Sequence, residues 1–251
     1  MHRFHLPVDH WESATLDSKE SHHCLQVLRL EEGNRITVFD GCGRESMATI
    51  GSIVAGKVSL HLTASATTPS PPCAITIGQA VPKGKNMDLI VQKAVELGAA
   101  HIAPLLSDRT VIQLDSDDSS KKQEKWQSTV IEACKQCGQN RIPSVALPVP
   151  PRDFFQIPPQ KNALLLIASL QPDARPIKTV LKDYRQSHNA FPKDVTVLVG
   201  PEGDFTPAEI ALSKSHGYQP VTLGPIILRT ETAAIYCLSV LAHELFTPTQ
   251  E

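Results

Sequence analysis

An α/β fold, with a mostly parallel sheet covered on both faces and a small β-rich unit ahead of it, is what the sequence predicts. Three observations predict it. From Cys73 onward, short apolar runs alternate with amphipathic segments of helix length, the pattern of parallel strands joined by helical crossovers. Before that point the apolar runs are short, alternate with polar residues and are punctuated by glycine, as in residues 35–41. Between the two lies Thr67-Thr68-Pro69-Ser70-Pro71-Pro72, whose closely set prolines read as a short, stiff spacer. The predicted domains are therefore residues 1–68 and 73–251.

In the first of these, residues 18–28 read as a helix with Asp17 or Ser18 at its N-cap. Strands follow at 35–39, 46–50, 53–54 and 57–62, separated by turn signals at Gly41, Gly51 and Gly56. His2, His5, His10, His22, His23 and His61 also fall here, at spacings that match no metal-ligand pattern. In the second, 74–81 reads as a buried strand. Residues 86–98 read as a helix closed by Gly98 at C′. A strand at 101–106 and a long helix at 118–137 follow. The Pro-rich stretch 143–159 reads as irregular, 163–169 as an apolar strand and 176–186 as a helix. Two strand–loop–helix units complete the chain, with strands at 195–199 and 220–223 and the last helix running to Leu245.

Length and composition narrow the function. The 251 residues, 41% hydrophobic and 20% charged, are enough for one large domain or two smaller ones. The formal net charge of −2 gives no global sign of nucleic-acid binding, although a local basic groove would suffice. No apolar run approaches a membrane span, and the N-terminus lacks a secretory apolar core. Six scattered cysteines read as reduced thiols of a cytoplasmic protein.

The chemistry concentrates near the C-terminus. Gly200-Pro201-Glu202-Gly203 follows the apolar run Val195-Thr196-Val197-Leu198-Val199, and glycines there let a ligand approach the backbone. Thr206, Pro207 and Glu209 form a helix start, with Thr206 as cap. That start explains the turn but not Glu202 between two glycines. The loop is not a dinucleotide fingerprint, and no P-loop occurs in the chain. In Leu228-Arg229-Thr230-Glu231-Thr232-Ala233, Arg229 beside a helix start suits an anion or carbonyl clamp, and Thr230 suits an N-cap; a charged cap on a core helix accounts for it equally well. Two such loops at strand ends are where an open α/β sheet binds ligands.

Three smaller features stand beside these. Lys83-Gly84-Lys85 is a basic loop at a strand end, or simply a solvated turn. Lys135-Gln136-Cys137-Gly138-Gln139-Asn140-Arg141 ends a long helix in side chains that can bond base edges or phosphates. Cys134-x-x-Cys137 has no second pair at zinc spacing, so no metal is expected. Glu96 is placed to cap its helix or to pair with Arg109.

Assembled in order, these segments resemble the RsmE family of ribosomal RNA methyltransferases, of the SPOUT class. The resemblance covers nearly the whole chain. It rests on His23-x-x-x-Val27-Leu28-Arg29 with Gly33, on Lys83-Gly84, on Gln92-Lys93-Ala94-Val95-Glu96-Leu97-Gly98 and on Arg109. It continues through Glu132 to Pro143 and is most specific in Val199-Gly200-Pro201-Glu202-Gly203 and in Leu223-Gly224 followed by Leu228 to Ala233. The resemblance implies an α/β trefoil-knot methyltransferase domain behind a small PUA-like β-barrel domain that binds RNA. It implies a cytoplasmic homodimer that methylates N3 of one uridine in 16S rRNA of the small ribosomal subunit, with S-adenosyl-L-methionine as cofactor and without a metal.

By the same resemblance, the cofactor site comprises Ile167 and Ala168, then Gly200, Pro201, Glu202 and Gly203, then Leu223, Gly224, Ile227, Leu228, Arg229, Thr232 and Ala233. Arg229 is the candidate electrostatic catalyst, with Glu202 or Glu231 as base. Arg3, Arg29, Lys83, Lys85, Gln136 and Arg141 are the candidate RNA contacts. Two other activities fit the same fold: ribose 2′-O-methylation of a tRNA, and a non-catalytic role in ribosome assembly. Asp204 stands where the family often has a second glycine, and Ile167-Ala168-Ser169 lacks the acidic residue that the resemblance leads one to expect after that strand.

Overall fold

The structure, a computed structural model, describes residues 1–110 and 115–246. The chain forms two compact units, Met1–Ser70 with Ile131–Ile142, and Pro71–Val130 with Pro143–Glu251.

The first unit is built on a four-stranded sheet in the order β1 (Arg3–His5), β2 (Arg35–Phe39), β3 (Arg44–Val54), β4 (Lys57–Thr67). β1 runs parallel to β2, and the other pairings are antiparallel. Alternation along β2 and β3 sends Ile36, Val38, Ala48 and Ile50 into a core with Phe4, Leu6 and Trp11. The sequence suggests two short strands where β3 is continuous. Register shifts between Ser46 and Ala48 and between Ile50 and Ile53 interrupt the alternation without ending the pairing.

Between β1 and β2 lie α1 (Val8–Trp11) and α2 (Ser18–His22). The Asp17 side chain accepts from Glu20 N at 2.7 Å, which caps α2. The expected helix 18–28 does not run on as an α-helix. Residues His23–Val27 widen into a π-helical turn, with Leu28 N donating to His23 O, and Arg29 leaves it at φ +53.

The second unit contains β5 (Ala74–Ala80), α3 (Asn86–Glu96), β6 (His101–Leu105), α4 (Ser116–Cys137), whose last residues belong to the first unit, β7 (Ser144–Val145) and α5 (Pro151–Phe154). It continues with β8 (Leu164–Ala168), β9 (Arg175–Pro176), α6 (Ile177–His188), β10 (Asp194–Val199), α7 (Pro207–Ser215), β11 (Gln219–Thr222) and α8 (Thr230–Phe246). The seven strands form one sheet, ordered β7-β6-β5-β10-β8-β11-β9, and every pairing is parallel. A parallel sheet needs both faces covered, and β8 is buried along its whole length. At the sheet's centre Gly78 lies opposite Leu198, and a Cβ on it would stand 2.4 Å from Leu198 Cδ2.

The Pro-rich stretch is more ordered than the sequence suggests. β7 pairs with β6, Ala146 N donates to Ile102 O and Leu106 N to Val149 O, so this segment finishes the sheet edge. Glu96 pairs with Lys93 at 2.8 Å rather than with Arg109, because three residues along a helix bring the two side chains together.

One feature of the order positions the site. β10 inserts between β5 and β8, and β11 lies beyond β8. The chain then crosses back past β8 and β10, so that α8 packs on α3, β5 and β10. The loops leaving β8, β10 and β11 are thereby gathered at one end of the sheet.

Candidate functional site

Those three loops enclose a cavity of about 290 Å3. Ala168, Ser169 and Leu170 line it from β8, residues 199–202 and Asp204 from β10, and residues 223–224 and 226–230 with Ala233 from β11 and the start of α8. Its rim is apolar and open. Leu170, Ile226 and Ile227 are 62%, 74% and 77% exposed. Apolar side chains clustered at a cavity mouth mark a surface that a flat or apolar ligand covers.

Hydrogen bonds fix the loops to one another. The Thr230 hydroxyl donates to Gly200 O at 2.7 Å and accepts from Gln79 Nε2 at 2.9 Å. The sequence suggests Thr230 as a cap for α8; instead its hydroxyl bridges the start of α8 to the loop after β10. Gln79 is fully buried and also donates to Ala80 O at 2.8 Å. Behind the loop, Thr206 and Glu209 form a reciprocal capping box. The buried Glu209 carboxylate also accepts from Ser107 Oγ at 3.1 Å and Asp108 N at 3.0 Å. Arg109, next in the chain, donates to Gly203 O.

The two candidate bases are engaged. Glu202 Oε1 accepts from Lys83 N at 3.0 Å, and Glu231 Oε2 from Asn86 Nδ2 at 3.4 Å. Asp204 adopts φ +61, a conformation that glycine enters freely and aspartate tolerates with a local hydrogen bond. Its Oδ1 accepts from Phe205 N at 2.8 Å, and burial pushes its carboxyl above the usual range.

Of the residues expected to hold a ligand, Ala168, Gly200, Pro201, Glu202, Leu223, Gly224, Ile227, Leu228, Arg229 and Ala233 line the cavity. Ile167 does not; it is buried in a core cluster with Leu198, Phe205 and Tyr218, because adjacent strand residues face opposite sides of a sheet. Gly203 stands behind the lining against Arg109, and Thr232 is exposed on α8. Sequence reasoning missed Gln79, Leu170 and Asp204 as site residues. Gln79 carried a signal, as an amide in the buried end of a largely apolar strand.

The expected RNA contacts divide. Lys83 and Lys85 are exposed on the loop after β5, and Arg29 and Gln136 are exposed in the first unit. Arg3 and Arg141 are instead bound internally. Arg3 pairs with Glu45 at 3.1 Å and bonds Asn140 Oδ1, while Arg141 donates to Thr68 O at 3.0 Å. Gly43 leaves the room, since a Cβ there would stand 2.8 Å from Arg141 Nη2. Beside them Lys135, buried, pairs with Glu20 and, at 3.0 Å, with Glu132. Cys134 is buried, its thiol pushed up to about 12, and a thiol so raised is a poor nucleophile and metal ligand.

Comparison with known proteins agrees with this geometry. A family described as RNA methyltransferase domain matches residues 69–242, and one described as RNA methyltransferase PUA domain matches residues 16–62. The ribosomal RNA small subunit methyltransferase E of a Synechocystis species is 33% identical, over 90% of this chain and 72% of that protein. The Bacillus subtilis protein of the same name is 29% identical over 92% and 90%. Among solved structures, a Legionella pneumophila methyltransferase in complex with the cofactor SAM is 32% identical with a TM-score of 0.84, over 97% of this chain and 98% of that one. The ribosomal RNA small subunit methyltransferase E of Neisseria gonorrhoeae, bound to S-adenosyl methionine, is 32% identical with a TM-score of 0.83 at the same coverage. The fold is thus a SPOUT-type α/β methyltransferase domain with an N-terminal PUA-like domain.

Proposed function

Because the chain belongs to the family of ribosomal RNA small subunit methyltransferase E, we propose that it methylates N3 of one uridine in 16S rRNA, using S-adenosylmethionine. The observation that carries the reading is the cavity at the sheet's end, with Arg229 on its wall. The residues present fit this cofactor. Leu223, Ile227 and Leu228 offer apolar faces to an adenine, and Gly224, where a Cβ would meet nothing within 4 Å, leaves the backbone open to a ribose. When bound, the cofactor supplies an electrophilic methyl group on a sulfonium.

The chain's own groups must make N3 nucleophilic. Uridine N3 carries a proton, and the imide is a poor nucleophile until that proton leaves. Arg229 places a cation, unpaired among the described residues, at the cavity, where it favours the developing imide anion. Glu202, on the cavity wall, or Glu231, which stands outside the lining beside Asn86, is proposed to receive the proton. The target base must leave its stack to reach the cavity. Lys83, Lys85, Arg29 and Gln136, whose side chains are exposed, are proposed to hold the surrounding RNA. A homodimer is proposed from the family resemblance, and the proposed site of action is the cytoplasm.

The test is mass-spectrometric mapping of methylated nucleosides in small-subunit rRNA. Deleting the gene should remove N3-methyluridine, and the wild-type chain should restore it where Arg229→Ala does not. Persistence of that nucleoside while a different methylation disappears would overturn the substrate, tRNA ribose methylation being the first replacement. No change in any methylation would favour the assembly-factor role.

A further inference from the structure

Two carboxylates line the cavity, Asp204 and Glu202, and among the described residues neither is in an ion pair. Asp204 lines the cavity and is half-buried. Its Oδ1 accepts from Phe205 N, and none of the described residues donates to Oδ2 or forms an ion pair with it. Arg109 is the cation whose field reaches it, but that guanidinium is bound to Gly203 O. The other acid at this wall, Glu202, has an oxygen committed to Lys83 N and is exposed. A partly desolvated carboxylate facing a cavity is complemented by a cationic ligand group that can donate to its free oxygen.

We propose that Asp204 is the acidic contact for the α-ammonium group of S-adenosylmethionine. The inference rests on the cofactor reading given above. S-adenosylmethionine carries two cationic centres, and they differ in a way that Asp204 can sense. The ammonium has three N–H donors and can saturate Oδ2, whereas the sulfonium has none. The φ of +61 turns the side chain back toward the loop, where Oδ1 would stand 3.0 Å from a Cβ on Gly200, another residue of the cavity wall. The loop's bare edge and its charged edge are thus the same turn. Neither Ala168 nor Ser169, at the end of β8, brings an acid to the cavity, so Asp204 supplies that charge from the neighbouring loop.

The experiment is calorimetry on the full chain with S-adenosylmethionine, S-adenosylhomocysteine and 5′-methylthioadenosine. The second ligand keeps the ammonium and lacks the sulfonium, and the third lacks both. Two variants are compared: Asp204→Asn, which keeps an acceptor for Phe205 N, and Asp204→Gly, which accepts the same φ. Thermal unfolding confirms that both fold. Both variants should weaken the first two ligands roughly tenfold and the third by less than about twofold, the size of one charge-assisted hydrogen bond. Equal loss for all three ligands would show a loop-shape role and overturn the assignment. Loss for S-adenosylmethionine alone would move the contact to the sulfonium, and no loss would remove it. If the wild-type chain binds none of the three, the cofactor reading fails first, and the contact fails with it.

Discussion

Two arginines stand at similar places in the sequence, each in a polar run beside a helix end, and the structure uses them in opposite ways. Arg141 follows α4 and is drawn inward, donating to Thr68 O, beside Asn140, which bonds Arg3 and, at 2.8 Å, Thr68 Oγ1. Arg229 precedes α8 and is exposed at a cavity, and among the described residues nothing accepts from its guanidinium. What separates them is the supply of acceptors. The turn at residues 40–43 and the end of β4 offer carbonyls and a glycine gap. The loops at the cavity have already matched two backbone carbonyls, Gly200 O to Thr230 and Gly203 O to Arg109, and Arg229 forms no ion pair with the Asp204 or Glu202 carboxylate that shares the wall. A guanidinium left over after its neighbours are paired is available to a ligand, and one needed to complete the pairing is not.

The comparison breaks most sharply under substitution. Arg229→Ala should lower kcat by about 10²- to 10³-fold while changing cofactor affinity only a few-fold, as for loss of a group that acts on developing charge. Arg141→Ala should leave kcat nearly intact and lower Tm. Steady-state kinetics beside thermal unfolding would show both, and comparable loss of kcat in the two variants would end the distinction.

The next effect is on stability. Lys135→Met leaves the Glu20 carboxylate buried without its cation and should destabilise the chain by about 3 kcal/mol, with Glu20→Met in the same chain recovering most of it. Burial already holds the Glu20 carboxyl above its usual range. The folded state therefore keeps that proton more firmly than the unfolded one. This contribution is complete below the unfolded range and is lost as pH rises through the folded value. The Lys135→Met deficit should accordingly shrink as pH falls from neutrality into the carboxylate range. Denaturant melts across that span would read it, and a pH-independent deficit would mean that Glu20 is not its source.

A smaller effect belongs to the polar bridge behind the cavity. Thr230→Val removes a donor to Gly200 O and an acceptor for Gln79, so cofactor affinity should fall roughly tenfold, and Thr230→Ser should restore it. Equal behaviour of the two variants in a binding titration would assign Thr230 to packing alone.

How much of this could be read in advance follows from the range of each interaction. The apolar runs of β8 and β10 announced buried parallel strands. Thr206 announced a helix cap, because a cap is decided within one turn, and the structure adds that Glu209 closes it into a reciprocal box. The insertion of β10 between β5 and β8 had no local signature, since strand neighbours are chosen by the whole sheet. Residues 131–142 joining the first unit was equally invisible; Lys135 finds Glu20 across 115 residues. Of the cavity, the glycine loops and Arg229 were legible from their types and spacing. Gln79 was marked only as a buried polar residue, and what it bonds was not legible, because its partner Thr230 lies 151 residues away. Nor did the alternation of β8 tell that Ile167 would turn to the core while Ala168 faced the cavity.

The mildest prediction concerns Lys83, which has two separable parts. Its backbone N–H is held by Glu202, while its ammonium is exposed. Lys83→Ala keeps the first and deletes the second, so it probes the charge without disturbing the loop. If that charge meets a phosphate, RNA affinity should fall only several-fold, with the slope of log K against log salt shallower by about 0.7 to 0.9. Arg3→Ala should leave the slope unchanged, since Arg3 already spends its charge on Glu45. Salt titrations of RNA binding would separate the two. A shallower slope for Arg3→Ala would mean that the internal pairs open to receive RNA, and that acceptor supply does not by itself decide which cations are free.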